Sequence, residues 1–93
     1  MIRSFHSKET ENIWNGIKSK SLPLEIQERA RRKLRMLNNS NELKDLLIPP
    51  SNRLESLKGD KKGQYSIRIN DQWRICFNFE NGNCYNVEII DYH

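Results

Sequence analysis

Three consecutive residues, Asp91-Tyr92-His93, supply a carboxylate, a phenol and an imidazole, and each can take up or release a proton. Beside a guanidinium, such a set meets the needs of RNA cleavage without a metal. A 2′-hydroxyl loses a proton and attacks the adjacent phosphorus, the leaving 5′-oxygen gains a proton, and an arginine or lysine holds the charge that develops between them. Each well-placed acid or base contributes about 10²–10⁴ in rate, and electrostatic stabilisation as much or more. His93 is intrinsically tuned for either transfer near neutral pH. Tyr92, titrating near 10 in water, acts as a base there only if cations lower its pKa. A polar chain end that serves only solubility has the same composition, so residue types alone leave both readings open.

What must hold these groups together is a sheet. Tyr65, Ile67 and Ile69 alternate with Ser66, Arg68 and Asn70; Trp73, Ile75, Phe77 and Phe79 with Arg74, Cys76 and Asn78; Tyr85, Val87 and Ile89 with Asn86, Glu88 and Ile90. The turn clusters Asn70-Asp71-Gln72 and Asn81-Gly82-Asn83 permit only antiparallel neighbours. A slip of one residue would send every core side chain to solvent, so Ile69 is expected opposite Trp73, Ile67 opposite Ile75 and Tyr65 opposite Phe77. That register sets Arg68 directly across from Arg74, an unfavourable pair that a carboxylate or a bound anion must relieve. Glu88 joins the same face if Phe79 pairs with Tyr85, Phe77 with Val87 and Ile75 with Ile89. Arg74 then neighbours Ile90, and Asp91-Tyr92-His93 pass the 70–72 turn at one sheet edge. An Arg–Glu–Arg cluster serving solubility and an anion site both fit this pattern. A further strand is expected within Arg53 to Lys58, although Leu54 and Leu57 break alternation and leave its facing undetermined. The loop that follows offers Lys58, Lys61 and Lys62 as phosphate contacts.

The first half of the chain has helical period. Ser7 can cap a helix from Lys8 to about Ile17 that turns Ile13, Trp14 and Ile17 inward. Pro23 suits the first turn of a second helix, with Leu24, Ile26, Ala30, Leu34 and Leu37 as its apolar stripe through Asn38. Its other faces carry Arg29, Arg31, Arg32, Lys33 and Arg35, a run that reads first as a solvated face and second as a phosphate contact. Asn41 to Ile48 allows one or two more turns before Pro49-Pro50, expected to stop any helix. His6 is expected to be structural, at a strand–helix junction. The fold class expected is α+β, with N-terminal helices packed on one face of a twisted, mainly antiparallel sheet, as a single domain over residues 1–93.

Composition narrows the function classes. Sixteen Lys and Arg against twelve Asp and Glu give a formal charge of +4 and a pI near 9.3, which favours an anionic partner. Mean hydropathy is −0.88, and no run approaches the ~20 apolar residues of a membrane span. The opening Met-Ile-Arg-Ser-Phe-His has no apolar signal core, so a cytoplasmic location is expected. Cys76 and Cys84 show neither CxxC nor metal-ligand spacing and are expected to be reduced packing residues, without structural zinc.

The stretch Arg53-Leu54-Glu55-Ser56-Leu57-Lys58-Gly59-Asp60, followed by Gly63-Gln64-Tyr65-Ser66-Ile67-Arg68-Ile69-Asn70-Asp71-Gln72-Trp73-Arg74-Ile75-Cys76-Phe77, resembles the signature of HigB-type killer proteins of the RelE/ParE toxin superfamily. Ile2-Arg3-Ser4-Phe5-His6 and Val87-Glu88-Ile89-Ile90-Asp91-Tyr92-His93 are similar to the two ends of that family, in matching order and spacing. The resemblance implies a RelE-like fold, a HigA-like helix-turn-helix antitoxin as partner, entry into the ribosomal A site, cleavage of mRNA, and no cofactor or metal. By position it implies that Arg74 is the phosphate-stabilising arginine, that Asp91, Tyr92 and His93 are C-terminal active-site residues, and that Lys58 is a basic residue of the RNA-facing loop. Arg68 is added from strand pairing, not from the family. In this scheme His93 and Asp91 handle protons, Tyr92 stacks on a base or assists the transfer, and Arg74 with Lys58 holds phosphate charge. Where some relatives carry a histidine, this chain has Glu55 followed by Ser56. Glu55 is open to three readings: a base, an orienting group for His93, or a surface charge, the last slightly favoured. Two other classes compete. A ParE-like gyrase poison shares the superfamily fold but has no use for an Asp-Tyr-His ending, and a non-cleaving RNA- or ribosome-binding inhibitor would need only the lysines.

Overall fold

The computed structural model describes residues 1–57, 59 and 63–92. Helix α1 spans Lys8–Trp14, started as expected by Ser7, whose Oγ accepts from the Thr10 backbone N–H at 3.2 Å. It stops short of Ile17. Gly16, at φ 81°, takes the left-handed position of a Schellman ending, in which Ile17 N donates to Asn12 O at 2.8 Å and Gly16 N to Ile13 O at 3.1 Å. Ile17 therefore leaves the helix and is exposed, contrary to the expectation that it faces inward. Helix α2 runs Leu24–Asn39 and buries Ile26, Gln27, Ala30, Leu34 and Leu37. Leu24, expected in the stripe, is exposed, because two residues before Ile26 is about 200° around the helix. Gln27 is buried instead, with its amide satisfied by the Ser19 N–H and by the carbonyls of Ser19 and Leu22. Short 3₁₀ turns follow at Leu43–Leu47 and Pro50–Asn52. The second corrects the expectation that Pro49-Pro50 ends all helical structure, since a proline at the first helical position forgoes only an N–H that has no partner there.

Four strands, β1 Glu55–Ser56, β2 Gln64–Arg68, β3 Trp73–Glu80 and β4 Asn83–Asp91, form an antiparallel meander in chain order. The β2–β3 register is the expected one, with Tyr65 opposite Phe77, Ile67 opposite Ile75 and Arg68 opposite Arg74. Between β3 and β4, Ile75 pairs with Ile89 and Cys76 with Glu88 as expected, but a bulge then shifts the ladder so that Asn78 pairs with Tyr85 and Phe79 with Cys84. Asn86 absorbs the extra residue at φ 53°, a conformation that Asn tolerates better than most residues. The shift corrects the facing beyond it: Cys84 is fully buried, while Tyr85, expected inside, is not. Asn81-Gly82, at φ 50° and 80°, makes the two-residue hairpin turn between Glu80 and Asn83.

Both helices lie on one face of the sheet, where Ile13, Ile26, Ala30, Leu34 and Leu37 meet Ile67, Ile75, Phe77, Val87 and Ile89. Thr10, itself buried, ties α1 to the sheet by accepting from Ile89 N at 2.9 Å. Residues near the N terminus run beside β4 in parallel, with bridges Ile2–Cys84 and Phe5–Val87. The fold is thus α+β with helices on one sheet face, and the opposite face presents Ser66, Arg68, Arg74 and Glu88. Among the described residues no helix is long and apolar enough to cross a membrane.

Candidate functional site

Arg74 is 6% exposed, an unusual setting for a guanidinium and a costly one unless its donors are satisfied. Nε donates to Ser66 Oγ at 2.9 Å, and Nη2 donates to the carbonyls of Ser66 at 3.2 Å and Arg53. Arg53 sits in the left-handed region at φ 44° as it ends the 3₁₀ turn, a conformation that costs a non-glycine residue energy and recurs at functional sites. Nη1 lies 4.0 Å from Glu55 Oε1, on a carboxylate side chain that is half-exposed. The Tyr92 ring packs over the guanidinium, 5.5 Å from Cζ to its centroid, within the range of a cation–π contact.

Pairing Arg68 with Arg74 sets like charges across the ladder, and two different carboxylates relieve them. Asp71 pairs with Arg68 and Glu55 with Arg74. Glu88, one candidate for that role, is on that face but across from Cys76, where it lines a separate hollow of about 460 Å³ with His6 and Gln64. His6 joins the strand-like N-terminal segment to α1, and its backbone N–H bonds Val87 O at 2.9 Å.

A cleft of about 230 Å³ opens over Arg74, lined by Arg53, Glu55, Arg68, Asp71 and Tyr92 among others. The structure therefore brings together Arg74, Tyr92, Arg68 and Glu55. Asp91 does not line this cleft. It pairs with Trp73, so the pleat turns it toward the helix side of the sheet, and its Oδ2 accepts from Gln72 Nε2 at 3.1 Å. Tyr92 N donates to Gln72 O at 2.6 Å, so both residues clamp Gln72 of the β2–β3 turn. Lys58, Lys61, Lys62 and His93 lie outside the described residues. Two supports of Arg74 escaped the sequence reading. Ser66 had a signal, since the register sets it diagonal to Arg74 within reach of a long side chain; the Arg53 carbonyl had none.

Arg74 and Arg68 can bind an anion in this cleft, Glu55 can accept a proton, and the Tyr92 ring can stack. The family model for HigB-like toxins, described as the RelE-like toxin of the type II toxin-antitoxin system HigB, matches residues 3–93. Toxin HigB-1 of Vibrio cholerae serotype O1 is 39% identical over 83 residues, covering 88% of this chain and 87% of its own length. Endoribonuclease HigB of Proteus vulgaris is 32% identical over 93 residues, the whole of both chains. Among solved structures, YafQ from E. coli superposes with a TM-score of 0.65 at 12% identity, covering 98% of this chain and 91% of that one. A chain of the YoeB-YefM complex from Staphylococcus aureus gives 0.63 at 16%, covering 100% and 98%; at such identities the likeness shows the RelE-like fold alone. With a family match over nearly its whole length and relatives above 30% identity, the chain belongs to the HigB-like family of RelE-like toxins of type II toxin-antitoxin systems.

Proposed function

We propose that this toxin is an endoribonuclease that cuts mRNA in the ribosomal A site, by attack of a 2′-hydroxyl on the adjacent phosphate with side chains alone handling the charge and the protons. The name Endoribonuclease HigB, carried by the Proteus relative, supports the activity. The observation that carries the reading is the buried Arg74 guanidinium, fixed by Ser66 and Arg53 and opening with Arg68 onto a cleft capped by Tyr92. Its desolvation and fixed partners make it a preorganised charge of the kind that stabilises a phosphorus centre gaining negative charge.

In this scheme Arg74 stabilises the transition state and Arg68 binds the phosphate. Tyr92 stacks on a base or assists a proton transfer, and His93, from its residue type and its place after Tyr92, moves the protons. Asp91, bonded to Gln72, is a positioning residue for Tyr92. Glu55, beside Nη1 of Arg74, holds that group until a phosphate replaces it. Lys58 holds phosphate charge with Arg74, and Lys61 and Lys62 contact RNA, roles that rest on residue type and chain position alone. The partner we propose is a HigA-like helix-turn-helix antitoxin in the cytoplasm; the staphylococcal neighbour assembles with an antitoxin, YefM.

Purified Arg74→Ala and His93→Ala variants, assayed with translating ribosomes, are expected to lose about 10²–10³ in cleavage rate while keeping their fold. Full activity in both would reject the mechanism, and trapped gyrase–DNA complexes with intact mRNA would move the assignment to the ParE-like class.

A further inference from the structure

A second cleft, of about 350 Å³, lies between α2 and the sheet and is lined by Arg29, Arg32, Lys33 and Arg68, together with Ser51 and the apolar Met36 and Ile69. Arg29, Arg32, Lys33 and Met36 follow the three- and four-residue spacing of one helix face. Among the described residues no carboxylate lines the cleft. Arg68 is paired with Asp71 at its other side, whereas Arg29, Arg32 and Lys33 have no carboxylate partner among those residues, in contrast to Arg31 on another face, which has Glu28 at 2.8 Å. Two of the cations are held by neutral acceptors. Arg29 Nη1 donates to Ile69 O at 3.2 Å, and Lys33 Nζ donates to Oδ1 of Asn52. Asn52 is itself fully buried and anchored by a bond to Leu46 O at 3.1 Å. Burial, then the nearby Arg29 and Arg32, lower the pKa of the Lys33 ammonium. Like charges concentrated this way oppose folding, and a bound anion offsets the cost. Arg68 lines both this cleft and the Arg74 cleft, so the two adjoin at this side chain.

We propose that this cleft is a phosphate-binding subsite that takes a backbone phosphodiester of the RNA strand lying in the Arg74 cleft, beyond the position cut. This inference rests on the reading that RNA occupies the Arg74 cleft. A phosphodiester strand is favoured over an acidic peptide because the cations are spread along a continuous path that Arg68 joins, which suits a chain with one charge per unit. Ile69 and Met36 give the path an apolar wall for the sugar.

The test is binding, separated from catalysis by RNA carrying 2′-deoxy sugars, measured by fluorescence anisotropy against salt concentration. A dinucleotide carries only the one phosphodiester assigned to Arg74, and a twelve-nucleotide strand supplies further phosphates for the second cleft. The double variant Arg32→Gln/Lys33→Gln is expected to weaken the long strand by roughly ten- to thirtyfold at 0.1 M salt and to make its log–log salt slope shallower by about 0.7, the contribution of one neutralised phosphate on a single strand. The dinucleotide should change less than about twofold. Ser51→Glu, which sets a carboxylate in the cleft without altering the helix, should give the same length-dependent loss and guards against misfolding of the double variant. Equal losses for the two lengths, or no loss for the long strand, would overturn the inference. So would unchanged RNA binding with lost binding of a poly-glutamate peptide, which would assign the cleft to an acidic protein. If wild type never cleaves RNA yet shows the length-dependent loss, the subsite stands and only the catalytic reading falls.

Discussion

Replacing Ser66 by alanine removes one hydroxyl and tests whether Arg74 is held as the structure implies. Ser66 is fully buried and Arg74 nearly so; Ser66 Oγ accepts from Arg74 Nε at 2.9 Å. In the variant that N–H faces a methyl group, and a buried donor without a partner costs about 1–3 kcal/mol. The carbonyls of Ser66 and Arg53 still hold Nη2, so the guanidinium stays but swings about that edge. The lower half of the range, about 1–2 kcal/mol, is therefore expected. At about 4–8 °C per kcal/mol for a domain of this size, the melting temperature should fall by roughly 4–16 °C. Cleavage on ribosomes, measured well below that temperature, should lose about tenfold in kcat with KM little changed, because the interaction weakened is one made in the transition state. A variant that melts and cleaves as wild type does would refute the claim that this hydroxyl positions Arg74.

The hairpin turn supplies a stability prediction: at Gly82 (φ 80°) an added Cβ would meet Asn41 O at 3.1 Å, so Gly82→Ala should cost about 1–3 kcal/mol, read by denaturant unfolding. Burial raises the Cys84 thiol to about 11, so native protein at pH 8 should alkylate at Cys84 at least about 100-fold more slowly than unfolded protein, as peptide mapping would show. Because the folded state keeps this proton longer than the unfolded state does, stability should fall as pH rises from about 9 toward 11; a melting temperature that rises across that window would contradict it. Tyr92→Phe keeps the ring over Arg74 and should hold RNA affinity within about threefold, whereas Tyr92→Ala, losing base stacking worth about 1–3 kcal/mol, should weaken it about five- to 150-fold.

Alternation made the Arg68–Arg74 pairing legible, because buried Ile67, Ile75 and Phe77, with half-buried Tyr65, admit one register only. The bulge was harder, although Cys84 to Val87 is a step of three where the pattern elsewhere steps by two, and an asparagine sits in the gap. Asp91 was read as part of a converging chain end, whereas continuing the strand's own alternation from Ile89 puts it on the helix side. The ends of helices misled in a different way: Ile17 and Leu24 are apolar, but a left-handed glycine and a 200° rotation put them outside the stripe. Least legible was the support of Arg74. Nothing local in the sequence marks Arg53 as left-handed, and burial of an arginine depends on contacts from three separate segments.

The central claim is that the cleft over Arg74 cuts messenger RNA, and its most direct test is to map RNA 5′ ends in cells after brief expression of the toxin. Wild type should produce new ends inside translated reading frames, and Arg74→Ala should produce none. Intact mRNA with the wild-type toxin, or the same new ends with the variant, would contradict the account.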